Sequence, residues 1–181
     1  YTRPYPHKIL EETAYRSREI FETWAHEACF APANLFPATR HRMTNRQPGK
    51  RVLSLMNENP GYFNRVLEQV RLEGPIKASE LADPGNRTGK WWGYSKGKIA
   101  LEWYFATGVM GVSCRKNFTR YYDLIERVIP ERIFNTPSLS EREAHEYFLL
   151  KAINAYGIAT ISDLADYFRF SKSDAATQLD L

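Results

Sequence analysis

The sequence predicts an α+β chain, mainly helical, built as tandem winged-helix units: helix–turn–helix elements with small β-hairpin wings. Three observations predict this. From Gly74 to Leu124 the chain reads as a short helix, a basic loop, a second helix and a hairpin. That is the order in which a winged helix offers one helix to a DNA groove and a wing to the backbone. The segment Gly74-Pro-Ile-Lys-Ala-Ser-Glu-Leu-Ala-Asp83 aligns without gaps to Gly157-Ile-Ala-Thr-Ile-Ser-Asp-Leu-Ala-Asp166, 83 residues later. Charge is also segregated. Residues 87–120 hold seven basic side chains and one acid, and residues 39–51 hold five and none, in a chain whose total is +4. Local excesses of that size suit phosphate.

Each element has its own signal. Ile9 to Ile20 reads as a helix. Phe21 to Pro32 reads as a strand that gives way to a helix near Pro32, although period alone does not type so short an apolar run. Phe63, Val66, Leu67 and Val70 recur at helical spacing, as do Leu149, Ala152, Ile153 and Tyr156. Each run ends on a glycine, Gly74 or Gly157, where a left-handed residue costs least. A short helix follows each, with Leu81 or Leu164 facing inward. Ser95 is placed to cap a helix running to about Thr107, with Trp103 and Phe105 toward the core. Val109 to Asp123 is β-rich and bounded by turns, which predicts a wing centred near Lys116-Asn117. Ser140 with Glu143, Thr160 with Asp163, and Ser171 with Asp174 have capping-box spacing. Pro130 to Pro137 reads as a linker. The expected division is 1–50 as the remainder of a first unit, 51–134 as a second winged helix, and 135–181 as a third that stops before its wing.

Composition narrows the class. The 181 residues are 43% hydrophobic and 25% charged, which are globular values. No apolar run of ~18 residues occurs, so no membrane span is expected. Cys29 and Cys114 lie far apart without CxxC spacing, which favours a reducing cytosol. His26 and Cys29 could form half a metal site, but two ligands without a second cluster favour ordinary packing. There is no GxxxxGK[ST] loop and no HExxH, since position 30 is Phe30. No metal or cofactor is expected.

Several residues could carry chemistry or binding. Trp24, His26 and Glu27 stand together, and an imidazole beside a carboxylate can orient water or move a proton. The competing reading is a half-buried histidine whose neighbouring Glu27 faces solvent. Trp91-Trp92-Gly93-Tyr94 lies between basic residues, where aromatics can stack on bases or wedge between them, or else pack under the next helix. Lys96 and Lys98 would fall in the first turn of that helix, where phosphate is the natural partner. Arg115, Lys116 and Arg120 flank the wing turn, and Arg40 and Arg42 belong to the earlier basic tract. These eight positions, with Trp91 as the aromatic among them, are the expected DNA contacts.

Glu22-Thr-Trp-Ala-His-Glu-Ala-Cys-Phe-Ala-Pro32, Arg40-His-Arg-Met43, Trp91-Trp-Gly93, Leu101-Glu-Trp-Tyr-Phe-Ala-Thr-Gly108, and Arg115-Lys-Asn-Phe-Thr-Arg-Tyr-Tyr-Asp-Leu124 through Arg127-Val-Ile-Pro130 occur in this order. Together they resemble the YcaQ/AlkZ-like winged-helix DNA glycosylases over nearly the whole chain. The resemblance implies three tandem winged helices around a basic channel, excision of N-alkylated purines, and action on interstrand crosslinks. It implies a catalytic Gln-x-Asp or Gln-x-Gln pair in the first winged helix. Neither Gln47 nor Gln69 fits such a pair, so it is expected upstream of Tyr1, in which case the chain is an internal fragment and inactive alone. His26, Glu27 and Trp24 would then border the cleft. The implied partner is double-stranded DNA with alkylated bases, bound by a cytoplasmic, nucleoid-associated monomer. A non-enzymatic winged-helix transcription regulator fits the charge and the repeat equally well.

Overall fold

A computed structural model describes residues 6–86 and 93–179. It is α+β and mainly helical, with two separate two-stranded antiparallel sheets among the described residues. Helix α1 (His7–Glu11) runs into a single π-helical turn, Glu12–Arg16. The expected helix stops there because Arg18 takes a left-handed φ of 55° and the chain turns into strand β1 (Ile20–Trp24). Strand β2 (Ala28–Pro32) pairs back on β1 in the register Phe21↔Ala31 and Trp24↔Ala28. The expected strand and the helix after Pro32 are present, but Ala28 to Pro32 forms a second strand that the sequence did not predict. A 3-10 turn (Ala33–Leu35) leads into α2 (Phe36–Thr44), and Pro37 sits in its first turn, where no N–H is needed.

Helices α3 (Lys50–Glu58) and α4 (Tyr62–Glu73) follow. As the α4 period predicts, Phe63, Val66 and Val70 are buried. The expected left-handed glycine at its end is absent, because Gly74 has φ −54°. What Gly74 supplies is room, since a Cβ there would lie 2.6 Å from the Val70 carbonyl oxygen. Gly157 does take the left-handed conformation, at φ 72°. The first copy of the repeat forms only a 3-10 turn, Ala78–Glu80, whereas the second forms helix α9 (Ile161–Tyr167). Pro84 stands in the first copy where Tyr167 stands in the second, and a proline disfavours helix in the residue before it. Gln69 of α4 accepts the Ala82 N–H at 2.9 Å, replacing the missing helical bond. Leu81 and Leu164 are both buried, as their spacing predicts.

Ser95 caps α5 (Lys96–Ala106) by accepting from the Lys98 N–H. Strands β3 (Met110–Lys116) and β4 (Thr119–Leu124) form the expected hairpin, turning at Asn117-Phe118, one residue later than predicted. Both turn residues have positive φ, 48° and 63°, which matches the right-handed twist of the strands. Ile76 bridges to Tyr122 and extends the hairpin's edge. A short helix α6 (Ile125–Val128) precedes the anticipated linker, and another, α7 (Glu131–Phe134), lies within it. Helices α8 (Glu141–Tyr156), α9 and α10 (Lys172–Gln178) complete the chain. Ser140 and Thr160 make complete capping boxes, and Ser171 accepts from the Asp174 N–H.

Two cores hold these elements. One joins Leu55, Tyr62, Val66 and Val70 to Leu101, Phe105, Met110 and Tyr122. The other joins Phe21, Phe36 and Met43 near the start to Phe148, Leu164 and Phe168 near the end, through Ile125 and Ile129. The first hairpin and α2 therefore pack with the last three helices, while the middle of the chain has a core of its own.

Candidate nucleic-acid interface

Strand β1 carries an acid, Glu22, into the space beside the β3–β4 hairpin. It is 5% exposed. Its carboxylate accepts from Arg115 Nε at 2.7 Å and Nη2 at 2.6 Å, from Arg120 Nε at 3.0 Å, and from the Tyr15 hydroxyl at 2.7 Å. Arg120 also donates to Glu102 at 3.1 Å. Glu102 holds Lys98 at 2.6 Å and accepts from the Tyr122 hydroxyl at 2.8 Å. Planar guanidinium groups suit such two-pronged contacts with carboxylates. Burial pushes both carboxyl groups up. The Arg115 and Tyr15 hydrogen bonds and nearby arginine charges outweigh it at Glu22, as Lys98 and Arg120 do at Glu102, so both end below the usual carboxylate range.

A groove of about 720 Å³ opens beside this network. Among the described residues it is lined by Lys77, Lys98, Arg115 and Arg120, by the exposed ring of Phe118, and by no carboxylate. Across Gly93 and Tyr94 lies a second groove of about 800 Å³, lined in part by Lys50, Arg51, Lys96 and one acid, Glu58. The N-terminal end of α5 separates the two. Lys96 does not point away alone: its Nζ lies 2.6 Å from Asp83 and over the Tyr62 ring. Lys116 lies 4.7 Å from the Tyr121 ring centre, with no carboxylate partner among the described residues. Trp91 lies outside the described residues.

The tip of the first hairpin docks on the last helices. His26 Nδ1 is 2.9 Å from the Asp166 carbonyl oxygen. Arg169, at the turn between α9 and α10, reaches Glu27 at 3.3 Å and Asp166 at 2.9 Å. His26 and Glu27 thus face α9 and the turn after it, each with its own partner, and do not form a joined acid–base pair. Trp24 is 40% exposed beside them. Cys29 is exposed, and no cluster of three or more His, Cys, Asp or Glu residues that could hold a metal occurs among the described residues.

Arg40 and Arg42 occupy aromatic slots. Arg40 lies between Phe36 and Phe134 at 4.7 and 5.1 Å and donates to the Phe134 carbonyl at 2.7 Å. Arg42 lies between Phe148 and Phe170 at 4.8 and 4.5 Å and donates to the Phe168 carbonyl. Burial lowers the pKa of both. The structure thus brings Lys98, Arg115 and Arg120 together at one groove and sends Arg40 and Arg42 elsewhere.

Sequence reasoning missed Glu22. An acid inside the apolar strand Ile20–Trp24 is the available signal, and a sum of charge along a segment hides it. The chain does hold one Gln-x-Asp spacing, Gln178-Leu179-Asp180, against the expectation that it holds none. It lies at the end of α10, with Asp180 outside the described residues.

Among curated proteins, a probable nicotinate-nucleotide adenylyltransferase of Bacillus cytotoxicus is 32% identical over 72 residues, 39% of this chain. The chain spans only 35% of that relative's length, too little to show kinship of the whole. No solved structure matches. The family model described as DNA glycosylase AlkZ-like matches residues 3–181. With a match of that extent, joining the first hairpin, the basic groove and the last three helices in one continuous alignment, the chain belongs to the AlkZ-like DNA glycosylase family.

Proposed function

We propose that this protein hydrolyses the N-glycosidic bond of N-alkylated purines in double-stranded DNA and unhooks interstrand crosslinks. The duplex lies along the acid-free groove between α5 and the β3–β4 hairpin. That groove is the observation that carries the reading: four basic side chains converge on it with no carboxylate among the described lining residues. The helix–turn–helix–hairpin order of α4, α5, β3 and β4 supports a winged helix over 51–134, with 1–50 and 135–181 as parts of units on either side. In this reading the protein acts as a monomer on the nucleoid, in the cytoplasm.

The chemistry suits such a scaffold. An N-alkylated purine is a cationic leaving group and departs without strong acid assistance. The protein must stabilise an oxocarbenium-like sugar and place a water, which preorganised carboxylate and amide groups can do without a metal. No residue of the described chain is assigned that role; Glu22 is consumed by two arginines. The test uses the complete gene product and duplex DNA carrying N7-methylguanine. Release of the free base, leaving an abasic site in the presence of EDTA, is the expected result. Tight, salt-sensitive DNA binding without base release would favour the transcription-regulator reading.

A further inference from the structure

We propose that a cavity at the seam between the first hairpin and the last helices binds a small aromatic carboxylate, a site that does not rest on the DNA reading. The cavity measures about 440 Å³, and among the described residues it shares no lining residue with the two basic grooves. Sites for drug-sized ligands begin at roughly 300 Å³, so a molecule of one or two rings fits. Strand β2 supplies Phe30 and Pro32 to its wall, α8 supplies Tyr156, and α9 supplies Tyr167. Tyr156 is 47% exposed and meets Tyr167 edge-on at 5.3 Å between ring centres. The cavity therefore offers aromatic surface that a flat, apolar ligand can cover, and offset or edge-on ring contacts favour an aromatic one.

The polar lining selects the sign of the ligand's charge. Lys151 borders the cavity and has no carboxylate partner among the described residues. The positions one turn away on α8 hold Tyr147, Phe148, Asn154 and Ala155, so no acid stands where a helical ion pair would form. Arg142, on the same helix, does have such a partner in Glu146 at 3.1 Å. The Lys151 ammonium instead lies 5.3 Å from the Tyr147 ring centre. Asn34 also lines the cavity, and its carboxamide makes no hydrogen bond among the described residues. The one carboxylate in the described lining, Asp166, is taken by Arg169 at 2.9 Å. The charge left over at the cavity is thus positive. A cationic ligand meets a spent acid and a free amine. A neutral ring covers the walls and leaves the ammonium without a counter-charge. A carboxylate on an aromatic body answers both, since an ammonium and an amide N–H are the donors it accepts from.

The chain carries its own reporter. Cys29 is exposed and lines the cavity, whereas Cys114 lies on β3 and does not. The 181-residue chain is treated with iodoacetamide, with and without biphenyl-4-carboxylate, and alkylation of each cysteine is followed by peptide mass spectrometry. Saturating biphenyl-4-carboxylate should slow alkylation of Cys29 about tenfold, the occupied cavity leaving the thiol reachable roughly a tenth of the time, and leave Cys114 unchanged. Biphenyl-4-carboxamide has the same shape without the charge. It should need about a tenfold higher concentration for the same protection, as expected when one charge-assisted hydrogen bond is lost. Lys151→Ala should weaken the acid about tenfold, leave the amide as it was, and so erase the difference; Lys151→Gln should act alike. Lys151 is exposed, and circular dichroism melts of both variants confirm the fold. No protection of Cys29 in the wild type would overturn the site. Equal protection by acid and amide would overturn the carboxylate, and so would a preference that survives Lys151→Ala. Protection of both cysteines together would mean a change elsewhere in the chain and would overturn the assignment to this cavity.

Discussion

Glu22 decides what two of the basic residues in the groove can do. Arg115 and Arg120 share its carboxylate, so a phosphate reaching them meets a partly neutralised pair. The contact spans 93 positions of sequence for Arg115 and 98 for Arg120. Charge counted along a segment cannot see a partner so distant, which is why the residues were legible as basic and their pairing was not. Glu22→Gln should destabilise the protein by about 3 kcal/mol at neutral pH, because it strips a buried partner from two guanidinium groups. The sign of the pH dependence follows from the direction of the shift. The folded carboxyl sits below its unfolded value, so its contribution is fully present above the unfolded pKa of about 4.3 and is lost as pH falls through the folded pKa. Urea titrations of wild type and variant at pH 7 and at pH 3 check this. The gap should narrow in acid, and a constant gap would mean that packing rather than charge holds Glu22 in place.

At the scale of the element, local signals survived and non-local ones did not. The caps at Ser95, Ser140, Thr160 and Ser171 were readable because a side chain and the N–H it accepts from lie three residues apart. The β1–β2 hairpin was not, since Ala28, Cys29 and Ala31 have little strand preference and form β2 only because β1 offers a ladder. The β3–β4 hairpin falls within one residue of its expected turn, yet that turn is costly. Phe118 holds a φ of 63° while 91% exposed, with no burial to compensate. An L-residue there costs roughly 1–2 kcal/mol that glycine avoids. Phe118→Gly creates Asn-Gly, the pair best suited to a turn with both φ values positive. It should raise stability by about 1 kcal/mol, seen as a higher melting temperature. If the ring lies against DNA in the groove it lines, the same variant should bind duplex more weakly. A variant that is both more stable and undiminished in binding would leave the strained phenylalanine with no role at the groove.

At the scale of the whole molecule, the first hairpin and α2 belong with the last helices, and Arg40 and Arg42 fasten them there. Nothing in the tract Thr39 to Arg51 announces this, because a guanidinium bound for an aromatic slot and one bound for phosphate look alike in sequence. What separates them is the environment: two phenylalanine faces and a carbonyl for each arginine, against open solvent for Arg46. Cation–π contacts in a partly desolvated site contribute about 1 kcal/mol each, and a hydrogen bond from a charged donor adds about as much. Arg42→Ala should therefore cost about 3 kcal/mol and lower the melting temperature, while leaving the salt slope of DNA binding unchanged, because no phosphate contact is lost. Arg46→Ala should do the reverse, lowering the slope by about 0.9 with little change in melting. Running both variants through the same melt and the same salt titration divides the basic tract into its structural and its binding halves. A lower slope for Arg42→Ala, with an unchanged melt, would return that residue to the DNA surface.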